Sequence, residues 1–273
     1  TDTMLWTEEL FHVKKPIIAM LHLEPLPGDP LFSRGTDMQQ IADLAKRDLE
    51  ALQRGGVDGV LISNEFSLPY QRKVDTVTTA AMAFVLGQLR SEISVPYGVD
   101  CISDGDATIE LAAAVDADFV RGTFCGVYVG DGGLYNNDFS ATLRRKAALG
   151  LEDLRMLYFL NPESDRNLDT RALGDIARSL IFKAAPDGLC ISASAAGQEV
   201  DDQLIQSVKE CSPDMVVLCN TGCRVDTIRR KLRCADAAVV GTTFKENGEL
   251  RRRVDAARVS AFMDEVRALR REV

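Results

Sequence analysis

The sequence predicts a single (β/α)8 barrel, the TIM-barrel class, covering residues 1–273 with a short lead-in helix at its start. Three observations predict it. Short apolar runs alternate with amphipathic segments along the whole chain, the pattern of parallel strands joined by crossover helices. The runs count to eight and are evenly spaced, which favours closure over an open sheet. Turns entering the runs are short, whereas the loops Glu24–Thr36, Asn64–Asp75, Cys125–Asn137 and Pro162–Thr170 leaving them are long. Function concentrates on long loops held by a rigid scaffold, which directs attention to the strand C-termini.

In chain order the strands read as Pro16–Leu23, Gly59–Ser63, Tyr97–Cys101, Phe119–Phe124, Arg155–Asn161, Gly188–Ser192, Met215–Asn220 and Ala237–Thr242. Each is a run rich in apolar residues bounded by turn formers. The helix after the first strand shows Met38, Ile41, Ala45, Leu49 and Leu52 at helical spacing. Ala172, Ile176 and Leu180 mark a later helix, and Val254, Ala257, Ala261, Val266 and Leu269 the last. Asp58, Asp116, Asp187, Asp214 and Asp236 stand just before strands, where aspartate bonds nearby backbone N–H groups. They read as turn chemistry on the stability face and not as catalysts.

Hydrophobic residues make up 46% and charged residues 27%, the balance of a globular protein, with a net charge of −9. That charge argues against binding a nucleic-acid backbone, because no cationic surplus exists to release counterions. No apolar stretch approaches the roughly 20 residues that span a bilayer, and Thr1-Asp2-Thr3-Met4 lacks the basic and apolar regions of a signal peptide. The odd count of seven cysteines, with Cys101, Cys190 and Cys219 in apolar runs, predicts buried thiols and a reducing cytoplasmic setting. A homo-oligomer is the assembly expected of such barrels, though no heptad or apolar stripe marks the interface.

The chain ends on two strand-plus-glycine units, Val216-Val217-Leu218-Cys219-Asn220-Thr221-Gly222 and Ala238-Val239-Val240-Gly241-Thr242-Thr243. Glycine lets backbone N–H groups crowd around a ligand, and the loops after the last two barrel strands are the habitual phosphate site. Gly222, Gly241, Thr242 and Thr243 are therefore the predicted phosphate cup, with Asn220 and Thr221 beside it.

Other strand ends supply His22, Glu65, Asp100, Arg121, Asn161, Glu163, Ser192 and Ser194. His22 is one of two histidines, so no three-histidine zinc site can form, and neither lies in a HExxH or CxxC arrangement. Glu65 and Asp100 end neighbouring strands, which suits either an acid–base pair or a shared Mg²⁺ or Mn²⁺ ion; the alternative is an ion pair with Arg121 or Lys245. A Schiff-base aldolase needs a desolvated lysine near a strand end. Lys245, three residues beyond the eighth strand, is the nearest, and reads as a phosphate ligand or a solvated side chain. The stretch Gly126–Tyr135, with four glycines and two tyrosines, lacks the context of a dinucleotide fingerprint and reads as a mobile lid or a surface loop.

Lys15-Pro16-Ile17-Ile18-Ala19-Met20-Leu21-His22-Leu23 with Leu26-Pro27-Gly28-Asp29-Pro30 resembles the opening signature of the BtpA/SgcQ family. Ser63-Asn64-Glu65-Phe66-Ser67-Leu68-Pro69-Tyr70, Cys219-Asn220-Thr221-Gly222 and Thr242-Thr243-Phe244-Lys245-Glu246-Asn247-Gly248 look like its SgcQ branch. The resemblance runs from about Leu5 to Arg270 and implies a barrel of the ribulose-phosphate-binding type. It further implies an association with sugar uptake and metabolism for the SgcQ branch, and with photosystem I biogenesis for the branch that gives the family its name. Two departures stand out: Asp100 replaces the asparagine usual in BtpA proteins, and Leu160-Asn161-Pro162-Glu163-Ser164 replaces an acidic, histidine-containing segment.

Together these readings lead to an expected enzyme that isomerises, epimerises or cleaves a phosphorylated sugar by proton abstraction. Glu65, His22 and Asp100 would be catalytic, and Arg121, Asn161, Ser194, Asn220, Thr221, Gly222, Gly241, Thr242, Thr243 and Lys245 would hold substrate. Two alternatives remain open: a nucleosidase or phosphoribosyl-type enzyme acting at an anomeric carbon under a lid residue such as Tyr128, and a non-enzymatic assembly factor.

Overall fold

A computed structural model describes residues 4–194 and 197–273. Residues 1–3, which open the segment read for a leader, lie outside the described residues. In chain order the elements are α1 (Trp6–Phe11), β1 (Ile17–His22), α2 (Met38–Gly55), β2 (Gly59–Ser63), α3 (Thr76–Leu89), β3 (Tyr97–Asp100), α4 (Gly105–Val115), β4 (Phe119–Gly122), β5 (Val127–Gly130), β6 (Gly133–Asn136), α5 (Phe139–Ala148), β7 (Arg155–Phe159), β8 (Arg166–Asn167), α6 (Leu173–Ala184), β9 (Gly188–Ile191), α7 (Asp202–Cys211), β10 (Val216–Cys219), α8 (Ile228–Cys234), β11 (Ala237–Val240) and α9 (Ala256–Arg270). Eight parallel strands close in the order β1-β11-β10-β9-β7-β4-β3-β2, so every predicted strand is present and the TIM-barrel class holds. Among the described residues no helix is long and apolar enough to cross a membrane.

Local chemistry sets the element ends. Asp37 accepts from the Gln40 N–H while the Gln40 side chain accepts from the Asp37 N–H, a reciprocal cap that starts α2; Gly56, at φ +91°, ends it. At the strand N-termini, Asp58 accepts the N–H of Ile17, Asp118 that of Tyr97, Asp187 that of Met156 and Asp236 that of Val217. Each ties the start of one barrel strand to the turn before the next, and the device recurs at every second strand. At the second of the predicted turns Asp118 makes the bond, because Asp116 is spent as the left-handed C-cap of α4. Asp214 is exposed.

The stretch Gly126–Tyr135 is regular structure, not an irregular surface loop. Val127–Gly130 and Gly133–Asn136 pair as an antiparallel hairpin, and Arg166–Asn167 adds a third strand. Alternating Val127-Tyr128-Val129 followed by Asp131-Gly132 is the sequence signal of such a hairpin.

The core has two shells. One fills the space between sheet and helices, with Leu49, Leu52, Val85, Ile109, Leu232 and Phe262 among its members. The other fills the barrel itself, with Ile18, Met20, Leu61, Phe119, Leu157, Cys190, Val216, Leu218, Ala237 and Val239. Phe11 of the lead-in helix plugs the bottom, its ring 5.8 Å from that of Phe119. Gly98 makes room for Phe119, since a Cβ there would stand 2.4 Å from the ring.

Side chains alternate along a strand, so the inward row can be extended two residues at a time. Continuing past the apolar layer gives His22, Ser63, Asp100, Arg121, Phe159, Ser192, Asn220 and Gly241. Register places His22 opposite Ser63, and Ser63 opposite Asp100. The barrel interior thus changes from apolar to polar at its C-terminal end, where the active sites of this architecture sit.

Candidate active site

Above that polar layer lies a cavity of about 340 Å³, lined among others by His22, Glu65, Arg121, Glu163, Asn220, Gly222, Gly241–Thr243 and Arg258. Its volume suits a small polar ligand. A larger hollow, about 510 Å³, opens at the opposite end of the barrel between α1 and the turns around Asp116 and Gly150. The smaller cavity is the better site, because the strand-end side chains converge on it.

A chain of hydrogen bonds forms the floor. Arg121 Nε donates to Asp100 Oδ2 at 3.0 Å, Arg121 NH1 donates to Asn220 Oδ1 at 2.9 Å, and Asn220 Nδ2 donates to Ser192 Oγ at 2.9 Å. Arg121 NH2 also lies 3.0 Å from Asp100 Oδ2, and the guanidinium carbon stands 4.8 Å from the centre of the Phe159 ring. Burial works against the Arg121 cation, but Asp100 outweighs it and holds the guanidinium ionised. Burial pushes the Asp100 carboxyl up against the downward pull of Arg121.

This pairing is the ion-pair alternative of the sequence reading: Asp100 is tied to Arg121, and its charge still reaches Glu65 on the neighbouring strand. Among the described residues no three His, Cys, Asp or Glu side chains are grouped to hold a metal ion.

His22 and Glu65 sit above the floor, with Nε2 to Oε2 at 4.0 Å. That separation is too long for a hydrogen bond and leaves the two groups facing a shared ligand position. Burial pushes the His22 imidazole well below its ordinary value, helped by the Lys245 and Arg121 cations, so it is neutral at physiological pH. Its Nδ1 has no hydrogen-bond partner among the described residues. Glu65 moves the other way: burial raises its carboxyl, with Arg121 opposing and Asp100 assisting. Tyr70 anchors the Glu65 backbone, its hydroxyl donating to the carbonyl oxygen at 2.8 Å.

Glu163 brings a further carboxyl to the cavity. Burial raises it, with Arg121 lowering and Glu65 raising it further. Two carboxyls lifted chiefly by burial, beside a neutral imidazole, form a constellation suited to proton transfer.

The two glycine loops make the far wall. Thr242 and Thr243 open a short 3-10 turn, which leaves their N–H groups without an intrahelical acceptor. Gly222 has φ +69°, and a Cβ there would stand 2.2 Å from the Gln198 carbonyl oxygen. Gly222→Ala is therefore expected to cost about 1–3 kcal/mol, read from the urea midpoint, because it adds both a left-handed non-glycine and a clash. A cost below that range would mean the loop relaxes freely. Gly241 stands close to His22, whose Cε1 would lie 3.2 Å from an added Cβ.

Three other predicted binders have polar groups bonded within the rim of the barrel, and of these Thr221 also lines the cavity. Asn161 donates to the Ser192 carbonyl oxygen at 2.6 Å and accepts the Ser192 N–H at 3.0 Å, clamping two strand ends together. Thr221 Oγ1 accepts the Ala193 N–H at 2.9 Å, and Ser194 Oγ donates to Gln198 at 3.1 Å. Lys245 neither reaches the cavity nor meets solvent: it is 1% exposed and its Nζ has no hydrogen-bond partner among the described residues. Lys245 pairs with Val254 in an isolated bridge beyond the 3-10 turn, and its charge is felt by Asp48, Arg253 and Glu24 as well as Glu65. Arg224, just after the Gly222 loop, and Arg258, near the start of α9, are cations that do line the cavity; Arg258 Nε donates to the Thr243 carbonyl oxygen at 2.9 Å. In sequence Arg258 reads as one of several charged positions of an amphipathic helix, so nothing local singles it out.

The chain is similar over nearly its whole length to named proteins. It is 44% identical over 268 residues to the putative sgc region protein SgcQ of Escherichia coli, covering 98% of this chain and 100% of that one. It is 26% identical over 259 residues to the photosystem I biogenesis protein BtpA of Synechocystis sp., covering 94% and 89%. Among solved structures, (S)-3-O-geranylgeranylglyceryl phosphate synthase from Thermoplasma acidophilum in complex with sn-glycerol-1-phosphate has a TM-score of 0.62 at 11% identity, covering 97% of this chain and 100% of that one, a likeness of fold. The family model described as BtpA matches residues 13–268, and the chain belongs to the BtpA family.

Proposed function

We propose that the protein is an enzyme that moves a proton on a small phosphorylated sugar or related phosphate ester, as in isomerisation, epimerisation or retro-aldol cleavage. One observation carries this reading: the raised carboxyl of Glu65 faces the neutral His22 across 4.0 Å, in a cavity whose far wall is made of Gly222 and Gly241–Thr243. In this reading the phosphate rests on the wall beside Arg258. Glu65 takes a proton from carbon or hydroxyl, and its raised pKa brings it towards the working pH of a general base. The neutral His22 donates to the developing oxyanion and can return the proton, as a neutral imidazole does elsewhere. Glu163 is the second carboxyl for the opposite face. Arg121, ionised and fixed by Asp100 and Asn220, stabilises negative charge on the reacting atoms without reorganising.

The anomeric-carbon reading needs an aromatic slot, and the residues lining the cavity include no aromatic side chain. Tyr128, its proposed lid, is 2% exposed and packs in the accessory sheet with its hydroxyl 3.5 Å from the Leu160 carbonyl oxygen. The assembly-factor reading needs a broad apolar surface away from the cavity. Phe182, on α6, is 89% exposed, and Val129 and Leu134 form an exposed cross-strand pair in the accessory sheet, each a small feature beside the broad patch that reading needs.

Two measurements test the proposal. In a panel of sugar phosphates, at least one is expected to raise the melting temperature of the wild type by mass action, while Gly241→Asp, which places a carboxylate in the cup, abolishes the shift. The same compound incubated with enzyme in D₂O is expected to acquire carbon-bound deuterium by NMR. A panel without a shift, or an equal shift in Gly241→Asp, refutes the phosphate cup; a bound compound that neither exchanges nor converts refutes the proton transfer.

A further inference from the structure

Cys219 ends β10, and Cys223 follows after the turn Asn220-Thr221-Gly222. The left-handed Gly222 reverses the chain and brings the Cys223 Sγ back to 3.4 Å from the Cys219 Sγ. No other cysteine pair among the described residues shows such a contact. Both side chains belong to the apolar shell between sheet and helices, Cys219 fully buried and Cys223 5% exposed, and the Cys223 residue borders the ligand cavity.

We propose that Cys219 and Cys223 form a redox-active dithiol that hydrogen peroxide closes, reversibly, to a disulfide in the cavity wall. The Cys219 sulfur attacks one peroxide oxygen, the O–O bond breaks, and the departing hydroxide leaves as water with the thiol proton. Cys223 then attacks the sulfenic sulfur of Cys219, the S–S bond forms, and a second water leaves with the remaining thiol proton. Peroxide gains two electrons and the two thiols lose two, so the step balances.

The surroundings suit the attacking role of Cys219, since the hydrogen bond to Cys219 and burial push the Cys223 thiol up. The hydrogen bond donated by Cys223 pulls the Cys219 thiol down, against burial, and the Lys231 ammonium pulls in the same direction. Lys231 is itself buried and held by Glu199 at 2.9 Å and Asp202 at 2.5 Å, so this cation is fixed. Closure from 3.4 Å to the bonded distance of about 2 Å must pull on the residues between. Asn220 and Thr221 are tethered to Arg121, Ser192 and Ala193, and Gly222 already lies against the Gln198 carbonyl. Oxidation therefore reshapes the Gly222 loop. Given the phosphate cup proposed above, it weakens phosphate-ester binding.

The tryptic peptide Glu210–Arg224 also contains Cys211, so the experiment uses Cys211→Ser as background. After peroxide treatment this peptide is expected to lose two hydrogens and give no fragments between residues 219 and 223, with dithiothreitol restoring both. Cys223→Ser and Cys219→Ala, each checked for native circular dichroism, are expected to form no such link. If residues 219 and 223 stay reduced, or go to sulfinic acid without a link, the pair is overturned. Ribose 5-phosphate is the binding probe, expected to bind the oxidised protein at least tenfold more weakly than the reduced. Equal affinity overturns the coupling. A reduced protein that binds no sugar phosphate overturns the phosphate cup and the coupling together, while a mapped 219–223 link still establishes the dithiol.

Discussion

Glu65→Gln is expected to lower deuterium exchange into a bound sugar phosphate by about 10²–10⁴-fold, the usual contribution of a positioned general base, and at the same time to raise the stability of the folded protein at pH 8. The second effect follows from the direction of the Glu65 shift. Its folded pKa lies above the ordinary 4.5, chiefly because burial disfavours the charge. Between those two values the native state keeps a proton that the unfolded chain has released. Stability from this group is fully present below 4.5 and is lost as pH rises through the folded pKa. Glutamine carries no such cost, so wild type and variant should have similar melting temperatures at pH 4 and the variant the higher one at pH 8. A variant that loses both activity and stability at pH 8 would make Glu65 a structural residue. A variant that keeps its exchange rate would remove it from the chemistry altogether. A group that destabilises the fold while enabling the reaction is the expected signature of a functional carboxylate.

Asp100→Ala is expected to destabilise the protein by about 3–5 kcal/mol, because it strands the Arg121 guanidinium in the barrel without its counter-charge. Both side chains are nearly fully buried, at 9% and 3% exposure, and water cannot replace the lost partner. The urea midpoint should fall with an unchanged slope. The double variant Asp100→Leu with Arg121→Met should recover much of the loss, since apolar replacement of a whole buried pair is often neutral or stabilising. It should nonetheless lose exchange activity, because nothing then stabilises charge on the bound ester. A loss below about 1 kcal/mol in Asp100→Ala would show the pair to be solvated, as surface ion pairs are.

His22 adds a pH dependence of opposite sign to that of Glu65. Burial, chiefly, holds its folded pKa well below the ordinary 6.5, so below 6.5 the unfolded chain binds a proton that the native state refuses. Stability therefore falls as pH drops below about 6.5, and His22→Gln is expected to flatten that part of the profile of melting temperature against pH. An unchanged slope would mean that the imidazole titrates freely in the folded protein.

Much of the fold and the outline of the site were legible in the chain itself, because the patterns that specify them are local. A strand announces itself by a short apolar run, a helix by spacing of three to four residues, and a hairpin by Asp131-Gly132 between alternating residues, although that last signal is easily passed over in a glycine-rich stretch. Side-chain alternation is equally local, so a residue two steps beyond the apolar layer of a strand, such as His22 after Met20, must point into the mouth of the barrel. The sequence by itself therefore determined the barrel, its strand count and the set of strand-end residues that reach its polar end.

The tertiary structure alone decided how those residues divide their work. Asp100 meets Arg121 across 21 positions and Arg121 meets Asn220 across 99, and neither pairing leaves a periodic trace. Asn161 clamps a neighbouring strand end, Lys245 is buried outside the cavity, and Glu163 and Arg258 line it. The physical reason is one of range. Backbone preference and hydrophobic periodicity act between neighbours in the chain, whereas hydrogen bonds, ion pairs and desolvation act between neighbours in space, and closing eight strands into a ring sets those distances only once the whole barrel has formed.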